Sequence, residues 1–310
     1  MSDPAAEGVP HSEPGLGIFT GRGLDLLLVA LVVLAAIVWL AVLQLPDGRL
    51  HVVFLDVGQG DAILITAPDG KQILVDGGPS PNQLFWALGR QLPFWDRSLD
   101  MVVLTHADTD HMRGLVPLFD RYHVQQVLAG AQSVDAEEAH HWWDAVEQAG
   151  AVTTVAERGM RIVLGEAAEI EVLHPGAAPL LGGSDNDSSV VLRLDYASTS
   201  FLLTGDLESR GEQDLLQSGQ VVAAQTLKVS HHGSAGATTV QFLETVAPTL
   251  AVIQVGRDNH FGHPAPELLE RLADSGARIL RTDVHGTIHI ISDGQKQWVR
   301  TAKRAPQRDQ

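Results

Sequence analysis

Cysteine is absent from the 310-residue chain, and basic side chains are few, with 21 lysines and arginines against 38 aspartates and glutamates. Without thiols the protein has no disulfide framework, no iron–sulfur cluster, no zinc ribbon and no cysteine nucleophile. The net charge of −17 disfavours a protein that coats nucleic acid by bulk charge. Aromatic residues make up only 5 %, yet a hydrophobic content of 45 % is too high for a disordered chain.

Histidine is abundant instead, with 14 residues in the chain. Imidazole is the commonest metal ligand in proteins, and carboxylate oxygens also bind divalent cations. A chain that is rich in both and has no thiol therefore favours a metal site built from nitrogen and oxygen ligands.

One long apolar run, Leu26–Leu43, lies between Asp25 and Gln44. As an α-helix it would be about 27 Å long at about 1.5 Å per residue, which is enough to cross a bilayer. A cleaved signal peptide is the alternative, but the run is longer than a signal-peptide core and no A-x-A-like site follows it closely. Arg22 and Arg49 flank the run on either side, so the positive-inside rule gives no orientation.

The chain divides by composition into four parts. We predict a flexible tail at residues 1–23, a transmembrane helix at 24–45, one large α/β domain at 46–298 and a basic tail at 299–310. Short β-rich runs alternate with helical segments twice along the large domain, which predicts two sheets packed face to face with helices outside. One of these helices is predicted over Met112–Tyr122.

Titratable side chains follow directly after apolar strands at three places in the large domain. The segments are His106–His111, Asp206 and His231–His232. Because α/β folds carry their reactive groups at the carboxyl ends of strands, we interpret these segments as parts of a functional site.

The first segment holds four potential metal ligands, which are His106, Asp108, Asp110 and His111. Alternate residues of a strand point to opposite faces, so the four side chains converge only if the segment is a loop. A solvated acidic loop with helix-capping aspartates is the alternative. The histidines at both ends of the segment favour the metal site.

The other segments are weaker signals when each is taken alone. Asp206 ends the strand motif LLTGD, where a helix N-cap is the ordinary explanation. His231 and His232 are adjacent in the motif HHGS, so their side chains diverge; we expect one to bind a metal and the other to donate a proton or contact the substrate. His263 lies in the loop motif GHP between a strand and a helix.

Taken in order, these motifs resemble the metallo-β-lactamase superfamily, and more narrowly the hydrolase-like domain of ComEC-type DNA-uptake proteins. The matching stretches, between residues 50 and 292, are FLDVGQGDA from Phe54, VDGG from Val75, THADTDH, LLTGD, HHGS and GHP. The resemblance implies an α/β fold, an αββα sandwich of two mixed sheets with outer helices, here preceded by one transmembrane helix.

The resemblance also implies two metal sites. The superfamily pattern is His-x-His-x-Asp-His, so His106 and Asp108 would belong to one ion, and Asp110 and His111 to the other. Asp108 stands where the pattern has a histidine, and the ComEC-like branch shares this aspartate. Oxygen in place of nitrogen shifts the preference toward a harder ion such as Mn²⁺.

The remaining ligands of the pattern come from later in the chain. Asp206 would bridge the two ions and His231 would complete the second site, with His263 as the rival for that place. Where the superfamily usually has its third histidine the chain reads GSDNDSS, so Asn186 or Asp187 stands there.

The implied chemistry is hydrolysis of a phosphodiester with two divalent ions, Mn or Zn, and DNA is the leading substrate. Asp110, His232 and His263 are the expected catalytic residues, the two histidines as alternative proton donors to the leaving oxygen. Asp56, Asp61 and Asp76 lie in glycine-rich turns near strand ends, and we expect them to position ligands rather than to bind a metal.

Two other functions fit the residues. One is hydrolysis of a small phosphoester such as a phosphocholine headgroup, and the other is a non-catalytic, membrane-tethered binding module. The acidic domain opposes DNA binding by charge, and the basic cluster is confined to the tail, at Arg300, Lys303, Arg304 and Arg308. We expect a single-pass protein of the cell membrane with an extracytoplasmic hydrolase domain. A separate membrane channel protein is a possible partner, and the sequence does not give the oligomeric state.

Overall fold

The computed structural model describes residues 21–42, 46–130, 137–177, 180 and 183–303. The chain forms two compact units, Met1–Leu45 and Pro46–Gln310. Most of the predicted N-terminal tail and residues 304–310 of the predicted basic tail lie outside the described residues.

The first unit contains one helix, α1, at Gly21–Val42. Its window Gly23–Leu40 is long and apolar enough to cross a membrane, and none of that window is buried by the described residues. From Leu26 onward the residues of this helix are all apolar, as the unbroken run predicts, so this part has no polar face to turn toward water.

The second unit contains fifteen strands in its described part. They are β1 Leu50–Phe54, β2 Ile63–Thr66, β3 Gln72–Val75, β4 Ser98–Leu104, β5 His123–Ala129, β6 Val152–Val155, β7 Arg161–Leu164, β8 Ala168–His174, β9 Val191–Tyr196, β10 Thr199–Leu203, β11 Thr226–Lys228, β12 Leu250–Ile253, β13 Arg278–Arg281, β14 Ile288–Ser292 and β15 Gln297–Thr301. The helices are α2 Pro81–Gly89, α3 Thr109–Met112, α4 Glu137–Ala149, α5 Ser209–Gln217, α6 Val240–Val246, α7 Pro266–Asp274 and α8 Thr282–His285.

These strands form two mixed sheets, which confirms the predicted fold class. The first has the order β15-β14-β1-β2-β3-β4-β5-β6, and the second has the order β13-β12-β11-β10-β9-β8-β7. Strands β3 to β6 run parallel in the first sheet, and β10 to β13 run parallel in the second. Each sheet therefore brings several strand carboxyl ends to one edge, where polar side chains can meet.

Alternating side chains of each strand supply separate apolar layers. In β1, Val52 and Phe54 enter the core between the sheets, whereas Val53 belongs to the outer layer of the first sheet together with Leu84 of α2. The outer layer of the second sheet includes Phe242 of α6. Both faces of each sheet are covered, so the strand ends are the places left for a polar site.

The prediction of a helix over Met112–Tyr122 is wrong. After α3 the chain makes turns, including a 3₁₀ turn at Val116–Leu118. The carbonyl of His111 accepts a hydrogen bond from Gly77 N at 2.7 Å, and Gly114 N donates to Gly78 at 2.9 Å. A Cβ at Gly114 would lie 1.9 Å from the Gly77 carbonyl oxygen, so only glycine permits this close approach. The segment therefore packs against the turn after β3 and does not continue as a helix.

Candidate metal centre

Four buried side chains converge where the two sheets end. Asp61, His111, Asp206 and His232 each offer one ligand atom, and all four atoms lie within 4.8 Å of one another. Asp61 precedes β2, Asp206 follows β10, and His232 lies in the turn after β11. The parallel arrangement of β10 and β11 thus brings Asp206 and His232 together across 26 positions of sequence.

Asp206 is at the middle of this cluster. Its Oδ2 atom lies 3.1 Å from His232 Nε2, 3.3 Å from His111 Nε2 and 3.8 Å from His231 Nε2. Asp110 contributes a further carboxylate, with Oδ2 3.2 Å from His232 Nε2. A carboxylate oxygen that faces three imidazole nitrogens is suited to bind one cation together with them, or to bridge two cations.

The two buried imidazoles are oriented by their Nδ1 atoms. His111 Nδ1 lies 2.8 Å from Asp76 Oδ2, and His232 Nδ1 lies 3.0 Å from the carbonyl oxygen of Gln254. Donation from each Nδ1–H to these acceptors directs both Nε2 lone pairs into the cluster, which is the orientation a metal ligand needs. Asp76 is held in turn by the backbone N–H and hydroxyl of Thr105, at 2.8 and 2.7 Å.

Lys228 is an unpredicted member of the centre. Its side chain is fully buried in β11, and its ammonium forms an ion pair with Asp61, lies 2.6 Å from the Gly205 carbonyl oxygen and 3.4 Å from Asp206 Oδ1. A buried ammonium needs such partners because loss of its hydration is costly. Burial alone would lower the pKa of Lys228, but the carboxylates of Asp61 and Asp206 more than offset burial and raise it.

Charge pairing dominates the electrostatics of the centre. Burial opposes ionisation of every member, yet the carboxylates raise the pKa values of His111 and His232 well above the ordinary value. Burial likewise opposes ionisation of Asp110, but the hydrogen bond with His232 and the charge of His111 lower its pKa to about 2. The site therefore demands positive charge, from protonated imidazoles or from bound cations.

Some buried polar atoms of the centre lack hydrogen-bond partners, and such atoms are suited to bind a metal ion. Among the described residues, His106 Nε2 and Asp61 Oδ1 are buried without a hydrogen-bond partner. The Asp108 Oδ2 atom lies 3.5 Å from His106 Nε2, which is too far for a good hydrogen bond. Unpaired lone pairs beside several carboxylates are groups that a divalent cation would satisfy.

Comparison with known proteins agrees with this donor set. Residues 55–257 match the family model described as the metallo-beta-lactamase superfamily. The chain belongs to this superfamily. Members of the superfamily bind divalent metals, and the possible metal site of aspartates and histidines fits that property.

Two relatives carry competence names. ComE operon protein 3 of Bacillus subtilis is 32 % identical over 250 residues, which cover 76 % of this chain and 32 % of that protein. Competence protein ComA of Neisseria gonorrhoeae is 28 % identical over 276 residues, which cover 87 % of this chain and 36 % of that protein. The chain thus spans about a third of the length of these relatives.

Solved structures share the fold. The metallo-beta-lactamase fold protein YhfI of Bacillus subtilis aligns with a TM-score of 0.50 at 14 % identity, covering 74 % of this chain and 95 % of that one. CmlA, a diiron beta-hydroxylase of Streptomyces venezuelae, aligns with a TM-score of 0.50 at 15 % identity, covering 78 % and 54 %. At these identities the likeness shows the metallo-beta-lactamase fold alone.

The structure brings the first predicted segment together at the site. The ring centroids of His106 and His111 are 4.2 Å apart, and Asp108 and Asp110 lie beside His106 and His232 respectively. The close fit of Gly60 against this loop supports the arrangement, because a Cβ at Gly60 (φ +125°) would lie 2.0 Å from the Asp110 carbonyl oxygen.

The positions of the two adjacent histidines differ from the expectation that His231 binds a metal and completes the second site. His232 is the buried member and lies in the cluster, whereas His231 is partly exposed and its Nδ1 lies 3.0 Å from Glu208 Oε1. Both residues adopt left-handed backbone conformations, with φ of 47° and 51°, and this turn directs His232 inward. His263 is the neighbour of His231, with ring centroids 5.7 Å apart, and is not one of the four clustered residues.

Asn186 and Asp187 have other contacts. The Asn186 amide donates to Glu208 Oε1 at 3.4 Å, and Asp187 Oδ1 accepts from Gly211 N at 2.9 Å. These bonds place both side chains at the start of α5, behind Glu208. Asp61, expected as a positioning residue, lies instead in the cluster, because its carboxylate is drawn to Lys228. No local sequence signal paired Lys228, the last residue of β11, with Asp61.

Proposed function

We propose that this domain is a divalent-metal-dependent phosphodiesterase and that DNA is its leading substrate. The observation that carries the proposal is the buried cluster around Asp206, whose Oδ2 atom faces His111 and His232 at 3.3 and 3.1 Å. The competence names of the relatives favour a nucleic acid over other phosphodiesters. Substrate phosphates are anionic and would be repelled by the carboxylates of the cluster. The site therefore has to hold cations before it can bind a phosphate group.

The donor set divides between two proposed ions. His106 and Asp108 would serve one, Asp110, His111 and His232 the other, and Asp206 both. Divalent ions held here would supply an activated water and charge to neutralise the phosphate oxygens. The oxygen ligand at Asp108 favours Mn²⁺ over Zn²⁺ by ligand type.

The protein's own groups prepare the site. Asp76 and the Gln254 carbonyl fix the tautomers of His111 and His232, and Lys228 neutralises carboxylate charge behind the cluster. Since His232 is buried against Asp206, the partly exposed imidazoles of His231 and His263, which form the mouth of the site, would exchange a proton with the leaving oxygen. A test of these roles must therefore separate His231 from His232.

Membrane anchoring through residues 24–45 is part of the proposal. The apolar helix supports it by length and composition. Within the second unit the chain enters at Leu50, at the amino end of β1, while the site lies at the carboxyl ends of the parallel strands β3 and β4. Because β1 pairs antiparallel with β2, and β2 antiparallel with β3, β1 runs in the same direction as β3. The entry point and the site are therefore at opposite ends of the sheet.

The test uses the full chain in detergent, loaded with Mn²⁺ and incubated with end-labelled single-stranded DNA or with bis(p-nitrophenyl) phosphate. We expect cleavage of DNA that Asp206→Asn reduces at least about 100-fold and that EDTA abolishes. His140→Gln, at an exposed histidine of α4, is the matched control and should cleave at the wild-type rate. Turnover of the small ester without DNA cleavage would point to a small phosphoester, and no turnover of either would contradict the proposal.

A further inference from the structure

An exposed aromatic ring lies on the rim of the metal centre. Phe261, in the loop between β12 and α7, has 68 % of its surface exposed. Its ring is stacked on the imidazole of His263, with centroids 5.8 Å apart and planes inclined by 14°. The exposed face of this ring is therefore accessible to a ligand that approaches the centre.

The loop that carries Phe261 is held in place. The Asn259 amide donates to the carbonyl oxygens of Gly256 and His263, both at 2.8 Å, and its Oδ1 accepts from His263 N at 3.0 Å. Ala265 N then donates to the Gly233 carbonyl in the histidine-bearing turn, at 2.8 Å. The position of Phe261 is therefore fixed relative to the site, so its exposure is not that of a frayed loop.

A row of rings connects Phe261 to the cluster. The ring of His263 lies edge to face against His231, with centroids 5.7 Å apart. His231 Nε2 lies 3.8 Å from Asp206 Oδ2. Phe261 thus stands two ring spacings from His231, the partly exposed imidazole next to the Asp206 carboxylate.

We propose that Phe261 forms a nucleobase subsite, on which the base of a nucleotide next to the cleaved phosphate stacks. The inference rests on the proposed function and names the class of substrate that the site selects. Every base has a π-face, so stacking on an aromatic side chain binds single strands with little sequence preference. Stacking also adds affinity without positive charge, which matters in a chain with a net charge of −17.

The test compares two single-stranded probes on the full chain in detergent with Mn²⁺. Both are fluorescein-labelled and phosphorothioate-linked to slow hydrolysis; one is an oligothymidylate and the other is an abasic strand of equal length. Fluorescence anisotropy gives the ratio of their dissociation constants. For the wild type we expect the base-containing strand to bind about tenfold more tightly, in line with the contribution of one stacked base.

The variants decide the assignment. Phe261→Ala should bring the ratio close to one, and Phe261→Tyr should restore it, because the ring rather than the identity of the residue is required. Phe94→Ala is the matched control: Phe94 is 79 % exposed and precedes β4, at the opposite end of the sheet from the site, so the ratio should stay at about ten. Thermal unfolding of all three variants checks the fold.

Failure of the subsite and failure of the proposed activity give different results. A wild-type ratio near one, an unchanged ratio in Phe261→Ala, or no binding of either probe overturns the subsite. Metal-dependent cleavage of DNA together with an unchanged ratio in Phe261→Ala overturns the subsite and leaves the enzyme assignment intact. A ratio of ten that depends on Phe261, with no cleavage of unmodified DNA, supports the subsite and overturns the nuclease.

Discussion

Asp206 and His232 meet at 3.1 Å although each follows a different strand, and β10 and β11, which carry them, are parallel neighbours. This contact places a carboxylate oxygen against a buried imidazole nitrogen whose other nitrogen is occupied by the Gln254 carbonyl. Of the two adjacent histidines, His232 is therefore the buried one and a member of the cluster.

Replacing each of the two adjacent histidines should separate their roles. His232→Ala removes a buried nitrogen of the cluster, so we expect loss of bound Mn²⁺ and at least about 100-fold lower cleavage. His231→Ala removes a partly exposed ring at the mouth, so metal content should stay as in the wild type and cleavage should fall about tenfold, as for a group outside the coordination sphere. Metal analysis after gel filtration is the measurement. Metal loss in His231→Ala with retention in His232→Ala would reverse the assignment.

Removing the buried ammonium of Lys228 should destabilise the domain. Lys228→Met leaves the buried carboxylate of Asp61 without its closest cation, with His232 Nδ1 at 3.4 Å as the remaining near contact. By analogy with other broken buried pairs, we expect a cost of about 3–5 kcal/mol. The double variant Lys228→Met, Asp61→Asn removes both charges and should recover much of that loss. Urea unfolding of the full chain without metal measures the free energy of unfolding. A double variant no more stable than the single one would show that the pair is not the cause.

Acid should destabilise the domain through His289, which is remote from the metal centre. Burial and the charge of His51, whose Nδ1 lies 2.9 Å from His289 Nε2, lower the pKa of His289 to about 4, while Arg300 adds to the effect and Asp47 opposes it. The ordinary value is about 6.5, so between these pH values the unfolded chain binds a proton that the folded chain does not. Stability is therefore lost as the pH falls from about 6.5 to 4.

The matching variant is His289→Asn, which removes this titration. We expect its melting temperature to fall less between pH 7 and pH 5 than that of the wild type. His123→Asn, at an exposed histidine that begins β5, is the control and should follow the wild type. An equal fall in the melting temperatures of the wild type and His289→Asn would show that other groups cause the acid sensitivity.

Local sequence patterns were sufficient for the strands and for the expectation that the side chains of His106–His111 lie close together. The apolar runs before His106 and Asp206 are strands β4 and β10, and the alternation of β-rich runs with helical segments predicted two packed sheets. These features depend on short-range periodicity and on the rule that polar groups gather at strand ends, so the sequence carries them directly.

Contacts between distant segments could not be predicted in the same way. The ion pair of Lys228 with Asp61 joins β11 to the turn before β2, and no local pattern reports such a pairing. The choice of His232 over His231 depends on two consecutive left-handed residues, and the loss of the predicted helix after Met112 depends on hydrogen bonds to the turn after β3. In each case tertiary contacts override what the local sequence favours.

We propose that the cluster around Asp206 holds the divalent ions used in phosphodiester cleavage. The most direct test of this proposal is to titrate metal-free full chain with Mn²⁺ and to record bound metal and cleavage of single-stranded DNA in the same samples. We predict two ions per chain, cleavage that rises with occupancy, and loss of both in Asp206→Asn. Cleavage without bound metal, or undiminished metal binding and cleavage in Asp206→Asn, would contradict the account.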